Sequence, residues 1–256
     1  VRLRLLAALM ALAGCAARPD PQAHVPPFAR VPYQPFSRDA AVAIALREWR
    51  LFGMPIDDDP PDTRKPPLPD AKPERMQGLW QRVGEYWWLG LNAGSREAAW
   101  TGKHDSHGRV FPAADDEDFA WSAAFISYVM RIAGAGRRFP YAPAHHVYID
   151  DARRVSLGRA GWDVSAEPPD GYAPRSGDLI CYSRTETPLR FADLPAGRFP
   201  AHCSIVVASE PGTLAVIGGN VDDAVTLTHV PVTPDGMLAP DPRYPWFVVL
   251  RVVYEV

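Results

Sequence analysis

The sequence predicts an α+β protein whose helices come first and whose strands follow as an antiparallel sheet. Two observations carry this. Apolar residues recur at helical spacing in several segments before residue 160, whereas from Gly177 onward the runs are short, β-branched and separated by turns. Such segregation is the pattern of α+β domains rather than of alternating βαβ units.

The chain has 256 residues and a formal net charge of −3. Its first segment has the order of an export signal: Arg2 and Arg4, the apolar run LLAALMALAG, and small residues immediately before Cys15. A membrane-spanning helix needs about 20 apolar residues, so this shorter run reads as a processing signal. Residues 1–14 are therefore expected to be a signal peptide. Residues 15–36, rich in proline, read as a tether that docks back through its aromatics, and 37–256 as a single domain with an N-terminal helical extension. Removal of Arg2 and Arg4 moves the net charge from −3 to −5, which excludes a nucleic-acid backbone as the expected partner.

A helix is expected from about Arg38 to Phe52, where AAVAIALREWRLFG supplies helix formers and a glycine stop. Three consecutive aspartates follow in MPIDDDPPDTRKPPLPDAKPE, but they lack the glycine and glutamate of a calcium loop and read as a solvated turn. From about Glu74 to Leu91, Trp80, Val83, Trp87 and Leu91 mark a second helix with a core-facing aromatic stripe. The third, Phe119 to Gly134, follows a run of acids, so Asp115 or Asp118 is expected to cap it. A fourth is expected over His145 to Leu157. The strands are DLICYS, HCSIVVAS, TLAVIGGN, AVTLTHVPV and PWFVVLRVVYEV. Cys181 and Cys203 lie in two of these; buried thiols are the expectation, and a bridge the alternative.

Three polar residues stand out in this framework: Ser122 near a helix start, His202 at a strand start and Asn220 at a strand end. A serine hydroxyl needs a base to take its proton and a third group to orient that base. Helix-start amides beside the nucleophile would stabilise the oxyanion.

The LAGC segment resembles the bacterial lipobox, which implies lipid on Cys15 and, with Ala16 following, a place on the periplasmic face of the outer membrane. The segments DFAWSAAFISYV, RSGDLICY, AHCSIVV and Gly219-Asn220 resemble the successive blocks of CHAP-type peptidoglycan hydrolases, which have a papain-like fold. From about Gly78 onward the chain also resembles a bacterial domain of unknown function numbered 2272, in GLWQRVGEYWW, FAWSAAFISYVM and HHVYIDDA. The resemblance implies Ser122 as nucleophile where CHAP enzymes have cysteine, His202 as base and Asn220 as orienting residue. Trp121, His145 and Asp222 are implied as contacts to substrate, with His145 an alternative base and Asp222 a reserve for Asn220. No cofactor is implied, and no metal: His145, His146 and His202 lack the His-Glu-x-x-His helix motif.

The implied function is a cell-envelope hydrolase of peptidoglycan amide bonds. One rival is a catalytically silent domain that binds peptidoglycan or a protein partner. Another is a serine esterase acting on acylated envelope polymers.

Overall fold

The computed structural model describes residues 35–60, 63, 67–92 and 94–256. The expected signal peptide, the lipidation site Cys15 and nearly all of the tether lie outside the described residues. Four α-helices precede or flank one six-stranded sheet: α1 (Arg38–Leu51), α2 (Leu79–Gly90), α3 (Ser122–Ile132) and α4 (His145–Ser156), then β1 (Val164–Glu167), β2 (Leu179–Ser183), β3 (Ala201–Glu210), β4 (Thr213–Val221), β5 (Ala224–Pro231) and β6 (Trp246–Val252). All pairings are antiparallel, in the order β1-β6-β2-β3-β4-β5. The fold is thus α+β, with helices first and an antiparallel sheet after. Among the described residues no helix is long and apolar enough to cross a membrane.

α3 is the central helix. Its residues from Ser122 to Met130 are all buried, between α2 and the sheet. Gly90 permits the α2 contact, because a Cβ there would lie 2.6 Å from the Ala124 carbonyl. Gly219 does the same on the sheet side, where a Cβ would lie 2.5 Å from that of Phe125. The small residues therefore set how closely the helix start approaches β4, and so where Ser122 sits.

The last residue of the expected tether packs with the domain: Phe36 is fully buried, lies tilted against the Tyr254 ring and accepts the Glu255 amide on its backbone carbonyl. Beneath the helices a buried carboxylate, Glu48 of α1, accepts from Arg82 and from the Tyr86 hydroxyl, while Arg82 also reaches the Tyr128 hydroxyl. A buried charge persists only when paired and hydrogen-bonded, and here one network ties α1, α2 and α3 together.

Some local expectations change. Residues 113–119 form a short 3-10 helix, so α3 starts at Ser122 rather than Phe119, with Trp121 as N-cap and no side-chain cap. The expected caps Asp115 and Asp118 lie in that 3-10 helix, and their neighbour Asp116 pairs with Lys72 and Arg75. Strand β1 was not expected; it pairs with β6 at the sheet edge. Cys181 and Cys203 are directly opposed on β2 and β3, and are joined as a disulfide rather than being the expected free thiols.

Candidate functional site

The start of α3 is where the chemistry collects. With no side-chain cap on this helix, the amides of its first turn have no intrahelical partner and remain available to an anion or a polarised carbonyl. Ser122 is the first residue of that turn. Its Oγ lies 2.7 Å from His145 Nε2, the first residue of α4. His145 Nδ1 in turn hydrogen-bonds the Tyr148 hydroxyl, one helical turn along α4. Both His145 and Tyr148 are buried, and Ser122 is only 9% exposed.

His202, at the start of β3, does not make the hydrogen bond to Ser122 that the resemblance implied. Its ring lies 5.3 Å from that of His145, between His145 and Tyr182, and its Nε2 is 3.3 Å from Ser204 Oγ. Gly218 leaves the room, because a Cβ there would stand 2.7 Å from His202 Nε2. Asn220 sits at the β4–β5 turn with φ 56°, and among the described residues it makes no hydrogen bond to His202. Asp222 is exposed in the same turn. The implied Ser122, His202 and Asn220 are neighbours in the fold, but the hydrogen-bonded pair is Ser122 with His145.

Trp121, implied as a contact to substrate, faces the core. It is fully buried, packs on Phe52 and Tyr86, and donates its indole N–H to Glu74 at 2.5 Å. Burial pushes Glu74 up to about 8, against the pull of the Trp121 N–H. Glu74, Asp116 and Asp223 offer oxygens within 4.8 Å of one another, the geometry of a cation site. Lys72 already supplies the positive charge there, 2.6 Å from Asp116 and 3.4 Å from Asp223.

Electrostatics keep both site imidazoles neutral. Burial holds His145 well below the ordinary histidine range, and the neighbouring His202, Arg184 and His146 push the same way. Burial, then Arg184, brings His202 down to about 3. A shallow hollow with room for little more than one water lies beside His202, between Tyr182, Ser204, Thr228, Tyr244 and Trp246.

Sequence reasoning did not single out Tyr148, Tyr182, Ser204 or Arg184. Tyr148 carries a signal, since three residues after His145 it must share that helix face. Tyr182 is placed by the register Tyr182↔His202, which depends on strand pairing that local sequence does not encode.

A family model described as an uncharacterised protein conserved in bacteria, DUF2272, matches residues 74–252. That segment runs from Glu74 to the end of β6 and contains every residue of the candidate site. No curated protein and no solved structure is significantly similar to the chain.

Proposed function

The chain belongs to DUF2272, a family of uncharacterised bacterial proteins, and from that premise we propose that it is a serine-dependent hydrolase of the cell envelope, acting on amide bonds of peptidoglycan. The observation that carries this is the 2.7 Å contact between Ser122 Oγ and His145 Nε2 at an uncapped helix start. In this reading the base is His145 and not His202. A papain-like arrangement is supported by the nucleophile's place at the start of a helix packed on an antiparallel sheet, with a histidine opening an adjoining strand.

The steps follow from these atoms. With hydrogen on Nδ1, donated to the Tyr148 oxygen, His145 Nε2 is free to accept the serine proton. Ser122 Oγ then adds to the carbonyl carbon as that proton moves to Nε2, and the free first-turn amides of α3 receive the oxyanion. Collapse breaks the C–N bond, and the departing nitrogen takes the proton from Nε2. Water repeats the sequence on the acyl-serine, giving its proton to Nε2, and release of the carboxylate product returns the proton to Ser122. A neutral His145 is already in the form that a general base requires.

The disulfide Cys181–Cys203 supports an oxidising compartment. It fits export to the periplasm, where a lipid on Cys15 would hold the chain at the outer membrane. The partner in this proposal is therefore the peptidoglycan polymer, approached from an anchored position.

A second reading is favoured by one specific observation. The group that orients His145 is a tyrosine rather than a carboxylate, so nothing nearby stabilises an imidazolium. A domain that only binds peptidoglycan would leave the serine and histidine as a structural pair. One experiment separates the two: incubation of the full chain, Ser122→Ala and His145→Gln with purified peptidoglycan and with O-acylated envelope polysaccharide, followed by mass spectrometry of released products. Products made by the parent and lost in both variants support the hydrolase, and their structures name the bond. Binding to the polymer without release from either substrate supports the second reading.

A further inference from the structure

The connection between β2 and β3, residues 184–200, is much longer than antiparallel neighbours require, since two residues suffice to turn a hairpin. Long ordered connections of this kind are commonly functional. This one is fixed in place. Asp150 of α4 accepts the backbone amides of Ala196 and Gly197 at 2.9 and 2.8 Å, while Arg153 of the same helix lies over the Phe191 ring. Phe199 is buried beside His146 and Phe247. The loop is therefore anchored to the helix that begins with His145.

Arg184 begins this loop. Its amide donates to the Pro200 carbonyl, one step beyond the Ser183↔Ala201 pair, so the β2–β3 ladder continues through it. Strand alternation then puts residue 184 on the face of Tyr182, and hence of His202. Arg184 is exposed, and among the described residues it makes no ion pair. Its charge is felt at both His145 and His202. An exposed guanidinium without an ion pair, on the face of a neutral imidazole, is a receptor for a planar anion. The shallow hollow beside His202 is lined by Tyr182, Tyr244, Trp246, Ser204 and Thr228, with no carboxylate. It holds little more than one water, and Tyr182, Tyr244 and Trp246 pack on one another around it, so the group that the guanidinium reads stays at the surface.

We propose that Arg184 is a specificity-determining residue, and that the substrate of this site carries a free carboxylate read by the Arg184 guanidinium. The inference rests on the hydrolase reading for the word substrate, but the recognition itself is testable without turnover. Neutral acyl compounds and amines lack the group that Arg184 reads. Peptides with free carboxylates, as in uncrosslinked peptidoglycan stems, have it.

The test uses the full chain, Arg184→Gln and Arg184→Lys, with soluble muropeptides bearing free carboxylates and the same muropeptides after amidation. Binding is measured by calorimetry in a Ser122→Ala background, and hydrolysis by the Ser122 forms is scored separately. The expected result is binding of the carboxylate form about tenfold or more tighter than the amide form, the scale of one charge-assisted contact. Arg184→Gln should remove that preference, and Arg184→Lys should keep part of it, since lysine retains the charge without the fork. Equal binding of both forms, no binding of either, or a preference unchanged in Arg184→Gln would overturn the proposal. Absence of hydrolysis with the preference intact would instead count against the hydrolase reading alone. Since Arg184 is exposed, its replacement leaves the fold intact, and an unchanged melting temperature checks this.

Discussion

A defined share of this domain's acid lability should be traceable to the His202 imidazole, with buried His145 acting in the same direction. His202 titrates at about 3 in the folded chain against an ordinary value of 6.5, because burial and Arg184 disfavour its charged form. Between those values the unfolded chain binds a proton that the folded chain does not, so stability falls as pH drops below 6.5. At about pH 5.5, one unit below the unfolded value, the loss is about 1.4 kcal/mol, against nearly nothing at about pH 7.5. Burial of Glu74, raised to about 8, works in the opposite direction over part of this range, so the bare pH dependence of the wild type mixes both. The comparison with His202→Gln removes the confusion, since Glu74 is common to both proteins. Urea denaturation of the two at both pH values should show the wild type losing about 1.4 kcal/mol more than the variant on acidification. Equal losses would mean that His202 accepts its proton in the folded state, and that the burial argument for the site is wrong.

The same packing governs four further outcomes. His145 is also held below the ordinary histidine range by burial, so the acid limb of kcat/KM for the proposed hydrolase should lie below 6.5, with activity sustained into mildly acidic buffer; His145→Gln should lower kcat by about 10² to 10⁴, measured on whichever polymer is cleaved. Arg82→Met strands the buried Glu48 carboxylate and should cost about 3–5 kcal/mol in chemical denaturation, whereas replacing Glu48 and Arg82 together with apolar residues of similar volume should cost much less. Replacing both Cys181 and Cys203 with alanine opens a cross-link of sequence separation 22 and should cost about 3 kcal/mol, read as a lower urea midpoint than that of the oxidised parent.

Much of the fold was legible because local patterns carry it. The β-branched runs from Gly177 onward are strands β2 to β6, and α1 and α4 lie close to the expected spans. β1 was missed because VSAE is four residues long with one β-branched residue, and it becomes a strand only when β6 lies beside it. The expected cap by Asp115 or Asp118 failed because both fall within the preceding 3-10 helix, which leaves Trp121 in the N-cap position of α3. The candidate site was legible as a set of residues but not as a set of partners. Ser122, His145 and His202 all stand out in the sequence, yet which histidine meets the serine is decided by how α4 packs over β1 and β3. That is a contact between distant parts of the chain, and no local spacing encodes it.

The pairing of Ser122 with His145 rather than His202 has an electrostatic consequence. The burial that holds the serine and imidazole 2.7 Å apart also resists the positive charge His145 must carry for an instant during proton transfer, and Arg184 adds to that resistance. In the proposed hydrolase the pair would therefore be neutral and slow to transfer its proton unless something offset that field. A substrate carboxylate docked on Arg184 would offset the guanidinium's field at both imidazoles, restoring part of the proton affinity of His145 as the bond to be cut arrives. Binding and activation would then share one contact. An amidated substrate should accordingly lose kcat as well as affinity when compared with its free-carboxylate form on the wild-type chain, whereas a purely docking role for Arg184 would leave kcat unchanged.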